Sequence, residues 1–146
     1  MSYKGYFKPR NPNKYKGDPT KIIYRSSWEF KLMGYLDRHP DVLQWASEEF
    51  SIPYVSPIDN KIHRYFPDFW VKQTTNGVIE TVLIEVKPRA QTKPPKPQTK
   101  RTKQYINEVR TWGINSAKWK AAREFCADRN WRFLIFDEYN LGIVNG

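Results

Sequence analysis

The sequence predicts an α/β chain built as a mixed sheet flanked by helices, in the order helix, three strands, two helices, strand. Three observations predict it. A capped amphipathic segment opens at Ser26. Three alternating segments between residues 43 and 87 are separated by turn signals. A short apolar run, Trp131 to Phe136, follows a long stretch of helical character.

Residues 1–25 are basic, Tyr-rich and turn-rich, and read as an extended arm, with residues 26–146 as one domain. From Met1 to Arg38, nine Lys or Arg stand against three Asp or Glu. Ser26 and Glu29 have capping-box spacing, so a helix is expected from there to about Arg38. Leu32, Met33 and Leu36 form its apolar stripe, and Glu29 falls on that stripe. His39-Pro40 ends it. Residues 43–55 read as one strand, with Phe50, Ile52 and Tyr54 on a common face. Ser56 to Asn60 is a turn, and residues 61–72 form the returning strand, which carries Asp68. Asn76-Gly77 favours a tight hairpin into the strand 78–87, completing a three-stranded antiparallel meander. Pro88, Pro94, Pro95 and Pro97 exclude regular structure before about Thr99. Helices are expected over about 100–110 and 115–129, the second with Ala117, Trp119, Ala121, Ala122, Phe125 and Cys126 on its buried side and Asn130 as its stop.

The chain has 146 residues, enough for one core. Its aromatic content of 16% argues against disorder. A net charge of +10 points to a polyanion, nucleic acid ahead of a membrane surface. No run approaches the ~20 apolar residues of a membrane span, and no signal peptide is evident. Cys126 is alone, which excludes an internal disulfide, and no Cys/His spacing suggests zinc.

The chemistry concentrates at Pro67-Asp68 and Glu85-Val86-Lys87. Glu85 and Lys87 are two apart, so a strand turns both to one face. The meander sets Asp68 on the neighbouring strand, where side chains of a common face lie ~5 Å apart. Phosphodiester hydrolysis needs an activated water and a charge clamp on the phosphoryl oxygens, which a hard cation held by carboxylates can supply. Asp68 and Glu85 are its natural ligands, the Val86 carbonyl could add a third oxygen, and Lys87 would stabilise developing charge. An exposed, salt-bridged edge strand would also accommodate Glu85 and Lys87, and Asp68 alone could be a turn residue. Glu29 could cap its helix, yet a bare carboxylate on an apolar stripe is costly unless paired or bound to metal.

No acidic residue occurs between Val86 and Asn107, against seven Lys or Arg. Arg89, Lys93, Lys96, Lys100, Arg101 and Lys103 read as phosphate contacts flanking the site, with Lys118 a further candidate. Lys118 fits equally as a plain surface lysine.

Glu29 on a first helix, Pro67-Asp68, Glu85-Val86-Lys87 and the helical stretch that follows resemble the PD-(D/E)xK, restriction-endonuclease-like nucleases over about residues 22–136. The stretches 64–69 and 115–122 look like the end-cleaving endonuclease subunits of certain transposons. The segments 25–29, 35–42 and 85–88, with the basic start, are similar to the head completion nucleases of contractile-tailed phages. The resemblance implies a restriction-endonuclease-like sheet and a structure-specific DNA endonuclease with Glu29, Asp68, Glu85 and Lys87 in its site and Mg²⁺ as cofactor, Mn²⁺ substituting. It implies work late in virion assembly, in the host cytoplasm or the virion, beside head or neck proteins. A junction resolvase of the same fold and a non-cutting DNA-binding head or neck protein share the basic patch. The intact carboxylate set favours cutting.

Overall fold

The computed structural model describes residues 2–142. Met1 and residues 143–146 of the expected domain lie outside that range.

The N-terminal stretch is extended but not detached. β1 (Ser2–Tyr6) pairs antiparallel with β2 (Ile23–Ser26), and a short 3-10 turn covers Pro12–Lys14. Phe7, Tyr15, Ile22 and Tyr24 are buried in the core. The carboxylate of the buried Asp37 accepts the N–H groups of Arg10 and Asn11 at 2.8 and 3.0 Å, and so clamps the stretch. Sequence periodicity did not reveal this, because the aromatics of the stretch fall at no regular spacing.

α1 (Ser27–Arg38) starts where its cap predicts, with Ser26 Oγ accepting the Glu29 N–H at 3.1 Å. Its buried stripe is Leu32, Met33 and Leu36.

The expected strand 43–55 is two strands, β3 (Val42–Ser47) and β4 (Ile52–Val55), in different sheets. The chain breaks at Glu48, whose φ of 52° is incompatible with a strand. The returning strand 61–72 divides likewise, into β5 (Ile62–Tyr65) and β6 (Phe69–Thr75). Pro67 lacks a ladder donor, so Asp68 sits at the break and not within a strand. β4 and β5 form a separate hairpin. The Asn76-Gly77 turn, with both residues at positive φ, joins β6 to β7 (Val78–Val86).

The main sheet has the order β3-β6-β7-β8, where β8 is Arg132–Phe136. β3, β6 and β7 are the antiparallel meander, and β8 adds parallel to β7, so the sheet is mixed. The two helices expected over 100–129 are one, α2 (Lys103–Asp128). The stretch around Gly113 carries no proline and continues the helix, because one glycine costs only about 1 kcal/mol. Asn130, at φ 58°, stops α2. The N–H groups of Asn130 and Trp131 bond back to the carbonyls of Ala127 and Cys126, closing a Schellman cap.

The sheet has a core on each face. α1, Val82, Ile84 and the N-terminal aromatics fill one. Leu83, Trp119, Ala122, Cys126 and Tyr65 fill the other, under α2. β7 is therefore buried on both sides at its centre, which accounts for its run of apolar residues. No helix among the described residues is long and apolar enough to cross a membrane.

Candidate active site

The site forms where the β6–β7 ladder runs out. Phe69 pairs with Ile84, so Asp68 arrives beside Glu85. Asp68 Oδ2 accepts the Val86 N–H at 2.7 Å and continues the ladder by a side chain. Glu85 is 6% exposed on the α2 face of β7. The Lys87 N–H bonds to the Phe136 carbonyl at 3.0 Å, and its Nζ lies 3.8 Å from Glu85 Oε2.

Burial dominates the electrostatics, and carboxylate repulsion adds to it at Asp68 and Glu29. Protein crowds the Asp68 carboxylate, and this desolvation holds it well above the usual carboxylate range, with the Glu85 charge adding to it and Glu29 and Glu48 contributing less. Burial also raises Glu85, against the opposing pull of the Tyr65 hydroxyl, Lys87 and Lys118. Glu29 is half-buried and raised by desolvation, with Glu48 and Glu85 adding to it. Its Oε1 accepts the Arg25 N–H at 3.2 Å, so it serves the helix start while facing the other carboxylates.

Three residues complete the site that sequence reasoning missed or left apart. Glu48 donates its N–H to the Asp68 carbonyl at 3.1 Å and ion-pairs with Arg25. Read as part of a continuous strand, it carried no signal; the adjacent Glu48-Glu49 pair between apolar runs was the only one available. The Tyr65 hydroxyl donates to Glu85 Oε1 at 2.7 Å. Lys118 reaches in from α2, its Nζ 5.7 Å from the Tyr65 ring centre and 5.9 Å from that of Tyr54. One continuous helix brings it there.

The other basic residues divide. Arg89 is engaged: its Nε bonds Asp137 Oδ2 at 2.8 Å and its guanidinium lies over the Tyr139 ring at 3.8 Å. Lys93 and Lys103 border a groove beside α2, while Lys96, Lys100 and Arg101 are exposed.

No three His, Cys, Asp or Glu among the described residues converge as a ready metal cage. The Asp68–Glu85 pair nevertheless suits a hard dication. Two carboxylates set beside one another, one of them held by the Val86 N–H, are the oxygen donors that Mg²⁺ takes.

A mixed sheet with a carboxylate pair at the end of its two central strands is consistent with a nuclease fold, and the sequence matches the TnsA-like endonuclease N-terminal family over residues 39–138. The chain belongs to that endonuclease family. It is also 41% identical over 145 residues to the head completion nuclease of Enterobacteria phage T4, spanning 97% of this chain and 95% of that protein.

Proposed function

We propose that the chain is a Mg²⁺-dependent, structure-specific DNA endonuclease of PD-(D/E)xK type that processes DNA at phage head completion. The observation that carries this reading is the pairing of the partly buried Asp68 with the buried Glu85, with Lys87 Nζ at 3.8 Å from Glu85. The net charge of +10 and the name of the phage relative support DNA as substrate. Asp68, Glu85 and the Val86 carbonyl would hold Mg²⁺ or Mn²⁺, which lowers the pKa of a bound water and polarises the phosphoryl group. Hydrolysis forms a P–O bond from water and breaks the P–O bond to a sugar oxygen, which leaves as the hydroxyl. The Lys87 ammonium stabilises the negative charge that builds on the phosphoryl oxygens. Glu29 closes the acidic side of the site from α1. Lys93, Lys96, Lys100, Arg101, Lys103 and Lys118 hold flanking phosphates. Arg89 is already paired with Asp137 and contributes by anchoring the segment that carries the others. The setting would be the host cytoplasm or the virion, with head or neck proteins as partners.

A cleavage assay on linear, branched and overhang-bearing DNA, with Mg²⁺ and with EDTA, tests the reading. Asp68→Ala and Glu85→Ala should abolish cutting while DNA binding persists. Lys87→Ala should slow it about 10²-fold or more, with metal affinity little changed. Full Mg²⁺-dependent cutting by the Asp68 or Glu85 variant would overturn the site.

A further inference from the structure

A groove of about 580 Å³ lies between the 89–97 segment and the first half of α2. We propose that it takes an unpaired nucleotide of the DNA strand whose phosphate occupies the site. The inference rests on the nuclease reading above and adds the feature of the DNA that the chain recognises.

The groove's chemistry is that of a nucleobase partner. Gln91, Gln104, Asn107 and Asn115 line it, four amides that each offer a donor and an acceptor, as base edges do. Trp112 lines it too, held edge-on to the buried Trp119 at 6.0 Å between ring centres. A fixed indole is a stacking platform for any base. Lys93 and Lys103 stand at the groove and suit the phosphate that accompanies the base, while Glu108 is the one carboxylate among its described lining residues. Asn115 is 7% exposed, and its side chain bonds to no described residue. Its amide is not among the buried polar atoms left without a partner, so it keeps access to the groove and can pair with a ligand there.

The groove is also placed for this task. Its outer wall begins at Ala90, three residues beyond Lys87. On α2, residues 104, 107, 111, 115 and 118 follow helical spacing, so one stripe runs from the groove to Lys118 beside Tyr65 and Glu85. Pro94, Pro95 and Pro97 stiffen the outer wall, so little order must be imposed on binding. A base within a duplex hides its pairing edge and both ring faces, so only an unpaired nucleotide offers what the groove can read.

The test compares binding to a blunt duplex with binding to the same duplex bearing a short single-stranded extension, by fluorescence anisotropy in EDTA so that nothing is cut. The unmodified chain should prefer the extension. Trp112→Leu should weaken binding to extended DNA about 10-fold or more, within the range of a base–aromatic stack, and leave the blunt duplex unchanged. The Gln104→Ala, Asn107→Ala double variant should act in the same direction. Both of its positions are exposed, so it decides the matter if Trp112→Leu fails to fold. Absence of a preference for the extension, or equal weakening on both DNAs, overturns the groove and leaves the nuclease reading standing. Absence of binding to either DNA by the unmodified chain overturns the groove, and the Mg²⁺ cleavage assay above decides the nuclease reading separately.

Discussion

Tyr65 is 3% exposed and spends its only polar group on Glu85 Oε1. Burial and the Glu85 charge push its own ionisation up, so it remains a donor throughout the working pH range. In the proposed site it acts through Glu85, as a positioning residue. Tyr65→Phe keeps the ring packed against α2 and removes the bond. The expected result is a 10- to 100-fold rise in the Mg²⁺ concentration that half-saturates cleavage, the usual scale for removing the partner of a metal ligand, with a melting temperature within a few degrees of the unmodified chain. A metal titration of the cleavage rate checks it; an unmoved midpoint would leave Tyr65 with a packing role only. Glu48 holds a left-handed φ of 52° without being Asn, Asp or Gly. Such strain persists where surrounding structure over-determines it, here through the Glu48 N–H bond to Asp68 and the ion pair with Arg25.

α2 carries both the second core and one wall of the groove, so its continuity matters. It is held by packing on β4 and β8 and by caps at both ends, the Thr102 side chain accepting the Tyr105 N–H at one and the Schellman bonds closing the other. A Cβ built at Gly113 would meet only Pro57 Cγ at 3.9 Å, an ordinary approach. Gly113→Ala should therefore stabilise the chain by about 0.5–1 kcal/mol, the helical penalty of glycine. Urea denaturation measures it, and a destabilised variant would mean that the helix bends there. β7 and β8 are joined outside their ladder by a two-pronged ion pair, Arg132 Nε and Nη2 to the Glu80 carboxylate at 2.9 and 2.8 Å. The Arg132 hydrogen bonds are the main cause that lowers the Glu80 carboxyl to about 2, from an ordinary 4.5. A carboxyl lowered on folding stabilises the fold fully above its unfolded value and loses that contribution as pH falls through its folded value. The melting-temperature gap between the unmodified chain and Glu80→Gln should be widest above pH 5 and close toward pH 2. A gap independent of pH would show that the pair adds nothing beyond its packing.

The whole molecule is a strongly positive body with an acidic site set into it. A surplus of +10 steers a polyanion by diffusion, while the local carboxylates repel phosphate, a repulsion that the proposed dication would offset. Lys100, Arg101 and Lys103 lie at the approach to α2. Neutralising all three should weaken binding to every DNA sequence alike and flatten the log affinity against log salt slope by roughly 2.7, about 0.9 for each phosphate that the chain no longer neutralises. A salt titration of duplex binding reads this directly. An unchanged slope would place the three away from the DNA.

Those features that the sequence determined unaided are local or strictly periodic. Ser26 caps α1, Asn76-Gly77 turns the hairpin and Asn130 stops α2, because each depends on a few backbone angles. Asp68, Glu85 and Lys87 were legible as one cluster because a two-residue period and a meander bring them together with little freedom. The tertiary structure alone decided the rest. Glu48 leaves the strand through a left-handed turn whose bonds to Asp68 and Arg25 lie far away in sequence. The dips in pattern at Pro67 and Gly113 look alike in sequence, yet one breaks a strand and the other leaves a helix intact. Pro67 removes a ladder donor outright, whereas Gly113 costs so little that packing on the sheet overrides it. That unbroken helix is what delivers Lys118 to Tyr65 and Glu85 and lines the groove beside them, a conjunction set by helix register across about fifteen residues and the angle of docking, neither of which a linear pattern encodes.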